Sequence, residues 1–131
     1  MLCHKCLGRE ERPCSYEHLT REYVKVLLPA LRQVAYRCGY AIGTHGSQKT
    51  DIDLIACPWR DLAVNANHLV ECIQKAAEAI IGYAEIRGEP EKKPNGRLAW
   101  SIHLAPAGVS APYIDLSVMP VGEHKKEEAN Q

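Results

Sequence analysis

The sequence predicts an α+β fold in which two helices and five strands follow one another in the order α-β-β-α-β-β-β. Three observations carry that reading. Apolar residues recur at three- and four-residue spacing over residues 19–38 and 69–80, the period of a helix with one buried face. Apolar and polar residues alternate over residues 51–56, 97–105 and 113–118, the period of a half-buried strand. Between the first two strands lies a turn of glycines and hydroxyls, residues 43–50, around which the rest of the chain is arranged.

The length of 131 residues suits one domain able to bury a core without staples. Hydrophobic residues make up 46% and charged residues 24%, the balance of a soluble globular protein. Sixteen basic and sixteen acidic residues cancel, so no global field favours nucleic acid or a membrane, and a nucleic-acid partner would need a local patch. No run approaches the roughly 18 apolar residues of a membrane span, and the N-terminus lacks the charged-then-apolar pattern of a signal peptide. A cytoplasmic protein without a membrane partner is expected. Cys38, Cys57 and Cys72 stand in apolar contexts, where reduced cysteine behaves as a small hydrophobe.

Residues 1–18 form a Cys/His-rich segment with Cys3, Cys6, Cys14 and His18 in a C-x2-C-x7-C-x3-H arrangement. A two-residue gap lets a tight turn aim two thiolates at one point, and a second pair completes a tetrahedral zinc shell, with His4 as a spare ligand. The competing reading is a terminus whose thiols bind nothing. A domain over residues 19–120 follows, and residues 121–131 form a polar tail expected to fray.

Ser15 is a plausible N-cap for the first helix, whose apolar set is Leu19, Tyr23, Val26, Leu27, Ala30, Leu31, Val34 and Cys38. Pro29 predicts a kink or break near Leu28, and Gly39 a stop. Tyr40 to Ile42 make a short strand, and Asp51 to Ala56 a second. If residues 51–56 are extended, Asp51 and Asp53 share one face about 6–7 Å apart, while Ile52 and Leu54 share the other. Two such carboxylates are costly unless solvated, paired or bound to a cation, and a hard ion such as Mg²⁺ is their natural partner. The preceding turn offers backbone N–H groups and the hydroxyls of Thr44, Ser47 and Thr50, which suit a phosphate.

Asn65 or Asn67 can cap the second helix, with Leu69, Ile73, Ala76, Ala77 and Ile80 on its apolar face and Gly82 at its end. Tyr83 to Gly88 reads as a strand, Glu89 to Gly96 as a charged turn, and Arg97 to Ala105 as the return strand, with Leu98, Trp100, Ile102 and Leu104 on one face. In the last strand Ile114, Leu116 and Val118 face the core, leaving Tyr113, Asp115 and Ser117 opposite. Asp115 is thus a lone mid-strand acid, a position that calls for a reason.

His45-Gly46-Ser47 followed by Asp51-Ile52-Asp53-Leu54 resembles the hallmark of the nucleotidyltransferase superfamily, Gly-Ser and then Asp-x-Asp on the next strand. The fuller stretch with Pro58-Trp59 is similar to short uncharacterised proteins of phage and prophage genomes. The resemblance implies a DNA polymerase beta-like nucleotidyltransferase fold, a mixed twisted β-sheet with helices packed on one face. It implies Gly46 and Ser47 on the phosphates of a nucleoside triphosphate, Asp51 and Asp53 on Mg²⁺, and Asp115 as the third carboxylate. Only Gln48, Lys49 and Thr50 separate Ser47 from Asp51, fewer than in many members. Gly43-Thr44 is therefore an alternative phosphate-binding pair. Lys49 and His45 are further candidates for nucleotide contact, and Trp59 and Trp100 either stack a base or fill the core. The function so implied is a minimal Mg²⁺-dependent nucleotidyltransferase moving NMP from NTP to an unknown acceptor, which a protein partner or a second copy would help to recognise. The alternative is a catalytically inactive relative serving as a nucleotide- or zinc-stabilised binding module.

Overall fold

The computed structural model of the chain describes residues 16–121. Helix α1 spans Tyr16–Cys38, and strands β1 (Tyr40–Thr44) and β2 (Asp51–Pro58) follow it. Next come helix α2 (Ala66–Ile81), strands β3 (Glu85–Lys92) and β4 (Leu98–His103), and strand β5 (Tyr113–Val118). The element order is the one the sequence predicts.

The strands form one five-stranded sheet in the order β1-β2-β5-β4-β3. Only β2 and β5 are parallel; β1–β2, β4–β5 and β3–β4 are antiparallel, so the sheet is mixed. Both helices pack on one face. Leu27, Leu31 and Ala35 of α1 and Leu69, Ile73 and Ala77 of α2 share a core with Ile52, Leu54, Ile102, Ile114 and Leu116 of the sheet. Among the described residues no helix is long and apolar enough to cross a membrane.

Local chemistry explains each boundary. Glu17 in the first turn and Arg37 in the last complement the α1 dipole, and Arg21 pairs with Glu17 at 2.5 Å across one turn. Gly39 ends the helix at φ 91°, a left-handed conformation, and its missing side chain lets Ala63 and Arg60 pack directly against it. In α2 the Asn65 side chain accepts a hydrogen bond from the His68 N–H at 2.9 Å, so Asn65, not Asn67, is the cap.

Three expectations need correction. Pro29 does not break α1, which runs continuously through it. Pro29 lies on the exposed side, as does Lys25, whose carbonyl loses its helical donor on a face open to solvent, where the loss costs least. Val26 and Ile80, counted with the apolar faces, are exposed at 54% and 37%, and the pattern omitted the core positions Ala35 and Val70. The charged stretch after Gly88 is not a turn: β3 continues to Lys92 across an irregularity between Arg87 and Glu91, and the chain reverses at a short 3₁₀ turn, Pro94–Gly96. Because β3 is an edge strand, Pro90 can sit in it without removing a ladder bond from the sheet's interior.

Leu31 has no exposed surface, so Leu31→Ala is expected to lower the unfolding free energy by about 2–5 kcal/mol, whereas Val26→Ala should change it by less than about 0.5 kcal/mol. Urea denaturation followed by circular dichroism checks both.

Candidate active site

The face of the sheet opposite the helices carries the acids. In the parallel β2–β5 ladder Asp53 stands opposite Asp115 and Asp51 opposite Tyr113, and paired residues share a face. The buried alternates Ile52, Leu54, Ile114 and Leu116 point into the core, which fixes the outward direction of the carboxylates. One carboxylate oxygen from each of Asp51, Asp53 and Asp115 lies within 4.8 Å of the others, and all three residues are half-buried.

That crowding shows in their proton affinities. Asp53 is pushed up to about 6, first by burial, then by the charge of Asp51 and a hydrogen bond with it, then by Asp115; His45 opposes the rise. Asp115 is also raised, first by burial and then by Asp51, against the lowering influence of Lys93 and His45. Lys93 is itself ion-paired to Glu91 at 3.1 Å. Three converging hard oxygen donors that resist simultaneous ionisation fit a hard divalent cation.

The turn before β2 folds back onto that strand. The His45 N–H donates to the Asp53 carbonyl at 3.0 Å. Gly46 adopts φ 75°, and a Cβ there would overlap the Asp53 carboxylate oxygen Oδ2, so only glycine lets the backbone lie against the acid. Gln48 also has positive φ, at 57°; its amide donates to the carbonyls of His45 at 2.6 Å and Asp53 at 3.1 Å, tying the turn across its neck. Its buried Oε1 has no hydrogen-bond partner among the described residues. From beneath, the fully buried Thr20 of α1 donates its hydroxyl to the Lys49 carbonyl at 3.1 Å.

The structure therefore brings Asp51, Asp53, Asp115 and Gly46 together, with Ser47 and Lys49 exposed on the same turn. Gly43 and Thr44 instead belong to β1, paired with Ile55 and Leu54. Trp100 is a core residue at 5% exposure. Trp59 follows the far end of β2, stacked on Tyr36 with centroids 4.9 Å apart and with Arg60 over its ring. Cys3, Cys6, Cys14 and His4 lie outside the described residues, as does the tail from residue 122; His18 sits in the first turn of α1.

Sequence reasoning passed over Gln48 and Thr20. Thr20 carries a signal, a hydroxyl next to Leu19 on the apolar side of a helix; a glutamine in a polar turn carries none.

The site thus defines a carboxylate-rich centre flanked by a glycine turn, on an α+β scaffold. No protein-family model matches the chain, and no curated protein matches it in sequence. Among solved structures it is similar to the Cid1 poly(U) polymerase, in a structure with MgGTP bound, at 14% identity and a TM-score of 0.46. The match covers 76% of this chain and 32% of that one, so this chain spans under a third of the polymerase's length.

Two predictions follow from the geometry. Gly46→Ala is expected to cost about 1–3 kcal/mol through its left-handed φ and the collision with Asp53, whereas Gly43→Ala, which meets no atom within 4 Å, should be nearly neutral; thermal unfolding compares them. For pH, Asp53 moves from 3.8 to about 6 on folding, so between those values the folded chain binds more protons than the unfolded one. Stability of metal-free protein should therefore fall as pH rises through that window, the reverse of a salt-bridged carboxylate. Asp53→Asn should flatten the fall, as read from unfolding midpoints in the presence of a chelator.

Proposed function

We propose that the chain is a Mg²⁺-dependent nucleotidyltransferase, transferring NMP from a nucleoside triphosphate to an acceptor hydroxyl. The observation that carries this reading is the convergence of Asp51, Asp53 and Asp115 beside the Gly46 turn. It is supported by the sequence resemblance at the same residues. When bound, Mg²⁺ supplies neutralising charge to the phosphates and to the departing pyrophosphate.

In this reading Asp51 and Asp53 hold the ion, and the Gly46 and Ser47 backbone faces the phosphates, with Lys49 free to reach an outer oxygen. Gly43 and Thr44, held in β1, are the less favoured pair because their backbone is already committed to the ladder with Leu54 and Ile55. Asp115, whose proton affinity is raised, accepts the acceptor hydroxyl's proton as its oxygen attacks the α-phosphorus. The bond from that phosphorus to the β-phosphate bridging oxygen breaks, and pyrophosphate leaves. Positioning and electrostatics do most of this work, because phosphoryl chemistry needs little covalent help from the protein.

Calorimetric titration with ATP, GTP, CTP and UTP, with and without Mg²⁺, tests the reading. Mg²⁺-dependent binding of at least one triphosphate is expected, and Asp51→Asn/Asp53→Asn should abolish it while leaving the fold intact. A chain that binds none of the four overturns the proposal and leaves the inactive binding module in its place.

A further inference from the structure

Asp51 is held less closely by the glycine turn than Asp53 is. It is the first residue of β2, directly after the turn, and its neighbour Thr50 offers only a long hydroxyl contact of 3.4 Å. Asp53, by contrast, is pressed by Gly46 and bonded through its backbone to His45 and Gln48. A cation ligand that can rotate loses affinity, because binding must then freeze it. A group on the neighbouring strand that orients Asp51 would reduce that loss.

Tyr113 stands opposite Asp51 in the parallel ladder, on the same face. A phenol carries an O–H donor and a carboxylate only acceptors, so in this pair of ladder neighbours the Tyr113 hydroxyl is the donor and Asp51 the acceptor. The ring is fixed from its other side: His103 of β4, which pairs with Tyr113 across the antiparallel ladder, stacks on it with centroids 5.1 Å apart and planes 12° from parallel. Imidazole, phenol and carboxylate thus form a row across three adjacent strands, ending at the triad.

We infer that Tyr113, braced by His103, is a positioning residue that orients the Asp51 carboxylate for a divalent cation. Donation occupies one carboxylate oxygen and leaves the other for the ion, the arrangement by which outer hydrogen bonds tune metal ligands. This inference rests on reading the triad as a cation site, and the test separates the two.

The full chain, stripped of metal, is titrated with Mn²⁺ alone, free ion being followed by electron paramagnetic resonance. Tyr113→Phe removes only the hydroxyl and is expected to weaken Mn²⁺ binding by about 10-fold or more, and His103→Ala, which keeps the hydroxyl but releases the ring, by a smaller factor of several-fold. A residue that only fills space would shift the thermal midpoint of metal-free protein and leave the Mn²⁺ affinity alone. Wild-type binding matched by Tyr113→Phe to within about twofold overturns this inference and leaves the cation site standing. Wild-type protein that binds no Mn²⁺ overturns the cation site itself, and this inference with it.

Discussion

The parallel pairing of β2 with β5 is the constraint on which the rest of the structure depends. Its register sets Asp53 against Asp115, and the core enforces that register from below. Ile52, Leu54 and Ala56 alternate with the acids on β2, and Ile114, Leu116 and Val118 flank Asp115 on β5, all buried under the helices. A slip of one residue in either strand would turn that strand's acids into the core and its aliphatic side chains into water, at a cost of several buried side chains. Apolar burial on one face thus pins carboxylates that repel one another on the other. Antiparallel neighbours β1 and β4 flank the pair, so both central strands are held on each edge.

The glycine turn is positioned by the same core at one remove. Thr20 lies on the buried side of α1, and its hydroxyl reaches the Lys49 carbonyl; the Gln48 amide and the His45 N–H then bind the turn to the backbone of Asp53. The turn is therefore tied to the helix layer as well as to the strand that bears the acids. Exposed side chains on it, Ser47 and Lys49, are free for a ligand because other residues do the anchoring. Gln48 Oε1, without a partner among the described residues, is a buried acceptor at the neck of that turn, where a bound donor would relieve it.

What the sequence made legible was whatever a period could encode. Alternation along residues 51–56 and 113–118 placed Asp51, Asp53 and Asp115 on outward faces, and helical spacing found most of the α1 and α2 cores. Periodicity says nothing about which strand lies beside which, so the meeting of Asp53 with Asp115 came only from the resemblance. Pro29 and the Glu-Pro-Glu-Lys stretch misled because their effect depends on exposure: on an outer helix face and an edge strand, the missing N–H of proline removes little. Gln48 was illegible because its role lies in where its amide lands.

The two ends of β2 divide the labour of the strand. At its start, burial and then the charge of Asp51 raise the proton affinities of Asp53 and of Asp115 beside it, so ionising these two in the metal-free site opposes folding. At its far end and in its middle the strand is ordinary: aliphatic burial, an antiparallel partner, and Trp59 stacked on Tyr36 at the surface. A sequence selected for stability alone would have no reason to crowd three carboxylates onto the two central strands, where each is desolvated by its neighbours. The strain is local, and a cation bound there would convert mutual repulsion into shared attraction. On binding such a cation, the stability given up at one end of β2 would become affinity for it, and the well-packed remainder of the sheet is what allows the fold to carry that cost.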